Sequence, residues 1–78
     1  MITDDLIRAG RALLGWSSKT LAARGNVGIA TVLRIEQGRH VARGQAGTLE
    51  KRVAALREAG VHFVEDRERG PGVYLRRR

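Results

Sequence analysis

The sequence predicts a small, mainly α-helical domain that ends in a β-hairpin. Up to about residue 60, apolar residues recur at helical spacing, and a capping residue or a glycine stands at most of the expected helix ends. After Gly60 the pattern changes to alternating apolar and polar residues, which is typical of strands. We therefore place a helical domain in residues 1–60 and a hairpin in residues 61–78.

The first two predicted helices each begin at a hydroxyl-bearing residue. Thr3 is suited to cap the first helix, because acidic residues follow it in the first turn, where negative charge is favourable. Gly15 is suited to end that helix, since glycine is enriched just past helix C-termini. Ser17 is suited to cap the second helix, which we expect to break within "RGN", residues 24–26.

Glycines and a polar segment delimit the third and fourth helices. We expect the third helix over about residues 28–37, beginning at Gly28 and ending at Gly38. The polar stretch "RHVARGQAG" then predicts a loop, and Thr48 is predicted to open a fourth helix that ends near Gly60. The residues predicted to face the core are Leu21, Ala22, Val32, Ile35, Leu49, Val53 and Leu56.

The hairpin is predicted from two short alternating segments. "VHFV" places Val61 and Phe63 on one face, and "VYLR" does the same for Val73 and Leu75. The segment "EDRERGPG" between them predicts a long loop. Because an isolated hairpin is barely stable in water, this one must pack on the helices or pair with a second chain, which would make it a dimerisation element.

The charge of the chain favours a polyanionic partner. Its net charge is +7, and thirteen of its fifteen basic residues are arginine, which pairs well with phosphates and guanine edges. DNA, RNA and an anionic membrane surface all fit such a charge. The alternative is that a GC-rich genome supplies arginine and that the excess only aids solubility.

Several other classes of protein find little support in the composition. The chain has no cysteine, and its histidines, His40 and His62, lack metal-ligand spacing, so we expect no metal and no cofactor. No segment approaches the roughly 18 apolar residues of a membrane span. We see no pattern of catalytic residues and expect a cytoplasmic protein that is not an enzyme.

The stretch "ALLGWSSKTLAARGNVGIATVLRIEQG" resembles the Cro/repressor-type (XRE-family) helix-turn-helix proteins. The leading "IRAGRALLGWS" and the closing "RIEQG" add to the likeness, which covers residues 3–38 well and 39–60 loosely. The end of the chain is similar to the hairpin tail of some short bacterial members. The resemblance implies a lambda-repressor-like fold and a role in regulating transcription. It also implies that the third helix enters the major groove of double-stranded DNA and that the protein binds a palindromic site as a homodimer.

The resemblance also assigns roles to individual positions. Ser17, Ser18 and Lys19 match the phosphate contacts at the start of the second helix, where backbone N–H groups favour anions. The positions that match the DNA-facing side of the third helix are Gly28, Ile29, Ala30, Thr31, Leu33 and Arg34. Arg11 and Glu36 match an ion pair that ties the first helix to the third; the alternative is a surface pair of little energetic consequence.

Two basic segments have open roles. Arg39, His40 and Arg43 follow the third helix and either lie along the DNA backbone or form a solvated basic loop. The final three arginines, residues 76–78, are either a frayed end or a further DNA contact.

The exposed face of the third helix is unusually apolar for a base-reading helix. Ile29, Ala30 and Leu33 can meet thymine methyl groups while Arg34 makes the main polar base contact. Alternatively, the helix binds phosphates with little selectivity, the face binds a protein partner, as in the antitoxin of a toxin–antitoxin pair, or the hairpin tail buries it. RNA binding through "GNVG", as in the GXXG loop of KH domains, is a further alternative, although the KH fold needs a strand where "RAGRALLGWS" predicts a helix.

Overall fold

The structure is a computed structural model that describes residues 2–36 and 46–76. These residues form four helices followed by an antiparallel hairpin, which confirms the predicted mainly helical class. The elements are α1 (Asp4–Leu14), α2 (Ser18–Gly25), α3 (Ile29–Glu36), α4 (Ala46–Glu58), β1 (Val61–Asp66) and β2 (Gly70–Leu75). The predicted end of the third helix at Gly38 and most of the loop after it lie outside the described residues. No helix in the described ranges is long and apolar enough to cross a membrane.

The predicted helix caps at the start of the chain are confirmed. The side chain of Thr3 accepts a hydrogen bond from the backbone N–H of Leu6 at 3.3 Å. The Ser17 hydroxyl does the same for the N–H of Thr20 at 3.1 Å. Gly15 ends α1 in the left-handed conformation, with φ of 70°. These bonds satisfy backbone donors and acceptors that a helix end otherwise leaves without partners.

The fourth helix begins earlier than predicted. It starts at Ala46, not at Thr48, and so includes Gly47 in its first turn. A glycine inside a helix costs only about 0.5–1 kcal/mol relative to alanine, so Gly47 does not stop the helix when the rest of α4 packs well. The carbonyl of Thr48 instead accepts a hydrogen bond from the Arg52 side chain at 3.4 Å.

The turn of the hairpin is shorter than predicted. The strands run to Asp66 and resume at Gly70, which leaves a turn of residues 67–69 in place of the expected long loop. The Asp66 carboxylate accepts backbone hydrogen bonds from Arg69 at 2.9 Å and Glu68 at 2.8 Å, and these hold the pKa of Asp66 below its usual range. Gly70 completes the turn with φ of 85°, as three-residue hairpin loops commonly require.

The hairpin packs on the helices of its own chain. Its register pairs Val61 with Leu75 and Phe63 with Val73, so the four predicted apolar residues share one face. The buried residues that form the core cluster are Ile7, Leu21, Val53, Ala55, Leu56 and Val61. Phe63, Val73 and Leu75 pack against that cluster, which therefore spans helices and hairpin. The predicted core position Ile35 lies outside the described side chains.

A buried arginine that the sequence did not indicate joins α4 to the start of α1. Arg52 is only 3% exposed, and its Nη2 atom donates to the Asp4 carboxylate at 3.2 Å. Its Nε atom donates to the carbonyl of Thr48. A buried guanidinium needs such partners because removing its charge from water is costly.

Gly60 fixes the junction between α4 and the hairpin. It adopts φ of 107°, a conformation that other residues rarely take. Its carbonyl accepts a hydrogen bond from the N–H of Arg76 at 2.9 Å. A Cβ atom at Gly60 would lie 2.9 Å from the Arg76 carbonyl oxygen. The end of β2 therefore closes directly onto this glycine.

We expect Gly60→Ala to lower the free energy of unfolding by about 1–3 kcal/mol, because it combines backbone strain with a clash against main-chain atoms. Gly47→Ala is the matched control: nothing lies within 4 Å of the added Cβ, and alanine should stabilise α4 by about 0.5–1 kcal/mol. Urea denaturation of the two variants measures both changes. Equal stability of the two would contradict this account of the junction.

Candidate nucleic-acid interface

A short turn joins α2 to α3 and sets their relative orientation. Asn26 ends α2 in the left-handed conformation, with φ of 55°. The N–H of Val27 then donates to the carbonyl of Ala22 at 2.9 Å. The carbonyl of Gly28 accepts the first helical bonds of α3. The whole connection takes only residues 26–28, which is the length of a helix-turn-helix junction.

The third helix has one buried side and one exposed arc. Val32 is fully buried. On the other side, Ile29 is 40% exposed and Leu33 is 42% exposed, and the smaller Ala30 and the charged Arg34 are exposed as well. We call these four residues the α3 arc. The alternative in which the hairpin tail buries this face is therefore wrong: the hairpin packs on α1 and α4 instead.

The polar side of the α3 arc is formed by Arg34 and Thr31. An Nη2 atom of Arg34 lies 3.5 Å from the Thr31 hydroxyl, within reach of a weak hydrogen bond. Thr31 is half-buried and Arg34 is exposed. An exposed guanidinium keeps its hydrogen-bond donors available, while the aliphatic part of the arginine side chain can cover apolar groups.

Glu36, the last residue of α3, is fixed by residues of two other helices. Its Oε2 atom accepts a hydrogen bond from Arg11 Nε at 2.9 Å, and its Oε1 atom accepts one from Arg11 Nη2 at 3.2 Å. The Ser18 hydroxyl, at the start of α2, also donates to Oε1. The Arg11 and Glu36 side chains are only 22% and 12% exposed. The structure thus places the Arg11–Glu36 pair as the resemblance implied and adds Ser18 to it.

Arg11 also connects the pair to the segment between α1 and α2. Its Nη1 atom donates to the carbonyl of Trp16 at 2.9 Å. From one turn earlier in α1, Arg8 donates to the main-chain carbonyl of Glu36 at 3.1 Å. We call Arg11, Ser18 and Glu36 the Glu36 cluster; it joins α1, α2 and α3 at one point.

The three residues predicted to meet phosphates have different surroundings. The Ser18 hydroxyl already donates a hydrogen bond to Glu36, so a phosphate would have to compete with that carboxylate for the hydroxyl proton. The Ser17 hydroxyl caps α2 and lies 3.1 Å from the Thr20 hydroxyl, on an exposed surface. Lys19 is exposed, in the first turn of α2. Lys19 is therefore the member of this group best placed to add a charge contact.

Other predicted positions fall outside the described part of the chain. Arg39, His40 and Arg43 lie there, as do the last two residues, Arg77 and Arg78. Within residues 2–36 and 46–76, no group of three or more metal-binding side chains comes together.

Comparisons with known proteins add no identification. No protein-family model matches the chain. A search of curated proteins found no significant match either.

We expect Ser18→Ala to lower the free energy of unfolding by about 0.5–1.5 kcal/mol, because a part-buried carboxylate loses one donor. Glu36→Ala should cost more, about 1.5–3 kcal/mol, since it leaves the part-buried Arg11 without its carboxylate and with only the Trp16 carbonyl. Lys19→Ala, next to Ser18 but exposed, is the control and should stay within about 0.5 kcal/mol of the wild type. A double-mutant cycle in urea should show coupling of about 0.5–1.5 kcal/mol between Ser18 and Glu36. Strictly additive losses would contradict the cluster.

Proposed function

We propose that this chain is a sequence-specific DNA-binding regulator of transcription with a lambda-repressor-like fold. In this proposal α3 enters the major groove, and two copies bind a palindromic site. The observation that supports it most directly is the α3 arc, which is exposed although the helix that carries it is held on its opposite side by a fully buried valine, Val32. Binding residues are commonly presented in this way, on a rigid element with a supported reverse side.

The dimensions of α3 fit a DNA groove. An α-helix such as α3 is about 10–12 Å across with its side chains, and the major groove, about 12 Å wide, admits it. The turn before α3 and the Glu36 cluster after it hold both ends of the helix. A recognition helix held at both ends loses little conformational freedom on binding, which favours affinity.

The chemistry of the α3 arc suits two kinds of base contact. Arg34 can donate two hydrogen bonds to O6 and N7 of a guanine, the commonest specific contact in the major groove. Ile29 and Leu33 can pack against thymine 5-methyl groups, since both are exposed and apolar. An arc of this composition predicts a site that contains both guanine and thymine.

Charge supplies the contacts that do not depend on sequence. Lys19 is exposed beside the N-terminus of α2, a position that favours phosphate. The net charge of +7 makes association with DNA favourable and salt-dependent. In this proposal α2 positions the protein on the DNA backbone, and α3 reads the bases.

A protein partner for the α3 arc is the second candidate function. The exposure of Ile29 and Leu33, one turn apart on the same helix, favours it, because paired apolar side chains are common anchors for another protein. The antitoxin of a toxin–antitoxin pair would be such a module. RNA binding through residues 25–28 has less support, because α1 precedes α2 where the KH fold needs a strand.

We expect Arg34→Ala to weaken binding to a preferred duplex by about 1–3 kcal/mol, because a bidentate guanine contact is lost. The preferred duplex is selected from a randomised pool, and titrations compare it with a shuffled duplex at two salt concentrations. Arg67→Ala, an exposed arginine in the hairpin turn, is the matched control and should change affinity much less.

Equal losses on the preferred and shuffled duplexes would make Arg34 a phosphate contact. A pool that yields no preferred duplex would overturn the proposal and favour the protein partner.

The proposed contacts with thymine methyl groups can be tested by removing those methyl groups from the DNA. Replacing contacted thymines in the preferred duplex with deoxyuridine should weaken wild-type binding by about 0.5–1 kcal/mol per methyl, the value of one buried carbon. Leu33→Ala or Ile29→Ala should be insensitive to the replacement at the thymine it contacts. Deoxyuridine in flanking DNA is the control. Identical sensitivity in the wild type and both variants would exclude methyl contacts by these side chains.

A further inference from the structure

An open groove of about 350 Å³ lies between α4 and Ile2, at the edge of the core. Its lining is predominantly apolar, with one acidic and one basic side chain. The lining residues are Ile2, Leu49, Glu50, Val53, Ala54 and Arg57. We call this the α4 groove. An exposed apolar groove with charged residues at its edge is typical of a protein-interaction surface.

The charges of the α4 groove are arranged so that the groove complements itself. Glu50 and Arg57 are seven residues apart, so they lie on the same side of α4, two turns or about 10 Å from each other. Val53 and Ala54 lie midway between them. A two-fold axis through this midpoint, perpendicular to the helix, therefore brings Glu50 of each copy opposite Arg57 of the other.

We propose that the α4 groove binds a second copy of this chain, with the two α4 helices antiparallel. This deepens the proposed function, on which it rests, by naming the surface through which the two DNA-binding copies associate. In a two-fold interface the same patch is used by both partners. Two Glu50–Arg57 ion pairs would therefore form in each dimer. Ala54, exposed and small, lets two helices approach closely at the centre.

The ends of the groove are suited to this pairing. Glu50 is exposed near the start of α4. The Arg57 guanidinium lies over the ring of Phe63, 5.7 Å from its centre, which holds the positive charge at the other end. Opposite charges at fixed positions select the antiparallel register and disfavour a parallel one, in which like charges would meet.

The hairpin, which the sequence suggested as a dimerisation element, is less suited to that role. Its apolar face is covered by the helices of its own chain. Its other face presents His62 and Tyr74, whose rings already stack on each other with centres 4.9 Å apart. The α4 groove, in contrast, contains no residue of α2 or α3, so it is distinct from the α3 arc.

Sedimentation equilibrium of the full chain over a micromolar concentration range tests the proposal with charge reversals. Glu50→Arg and Arg57→Glu should each raise the dimer dissociation constant about tenfold or more, because two like-charge contacts arise per dimer. The double variant E50R/R57E restores both pairs with reversed sign and should bring the constant back to within about threefold of the wild type. Glu68→Arg, which makes the same charge change in the exposed hairpin turn, should leave the dimer unchanged.

Circular dichroism checks that each variant folds. A third single substitution in the groove tests the interface without reversing a charge pair. Ala54→Glu places a charge at the proposed axis and should also give a monomer. The proposal is overturned if the wild type is a monomer throughout the concentration range. It is also overturned if Glu50→Arg, Arg57→Glu and Ala54→Glu all leave the dimer intact.

The same samples separate this proposal from the proposed function. A monomer that still selects a preferred duplex overturns the α4 interface alone. A dimer that obeys the charge reversal but selects no duplex supports the interface and overturns DNA recognition.

Discussion

One carboxylate, at the end of α3 opposite the turn, ties that helix to both α1 and α2. Isolated helices much shorter than about 12 residues are unstable in water, so α3, with eight, is held in place by its contacts. Its last residue, Glu36, receives Arg11 from α1 and Ser18 from α2, while Arg8 binds its main-chain carbonyl. A part-buried carboxylate is tolerated only with such donors. Because the donors come from two other helices, the carboxylate fixes the direction of the α3 arc relative to both.

This arrangement limits what Ser18 can do on a nucleic acid. A hydroxyl has one proton to donate, and Ser18 gives it to Glu36. In the family that the sequence resembles, the same position contacts a phosphate. The Ser18 hydroxyl would therefore have to leave Glu36 in order to donate to DNA. Lys19, one residue further along and exposed, has no such conflict. In the proposed function, Ser18 would therefore support the helices while its neighbour Lys19 would contact the phosphate.

How much the sequence could predict depended on how far apart the interacting residues are. The caps at Thr3 and Ser17 follow from a hydroxyl and an N–H only three residues apart, so the pattern alone predicts them. The strands follow from alternation. The short turn is as local as the caps, because Asp66 accepts hydrogen bonds from N–H groups two and three residues later, so an aspartate at this position could have indicated it. The contact of Ser18 with a residue 18 positions later and the burial of Arg52 arise from tertiary packing, which periodicity cannot show.

The placement of the α3 arc and the α4 groove on different elements bears on how two copies would read DNA. Half-sites of a two-fold regulator are separated by about one helical turn, roughly 34 Å. The described residues of one copy extend over 32 × 27 × 18 Å, so two copies side by side are of the size that spans two successive major grooves on one side of the duplex. Since arc and groove share no residue, association and base contact can each be altered separately. Affinity for a full site would then exceed that for a half-site because the second α3 binds at the high effective concentration set by the first.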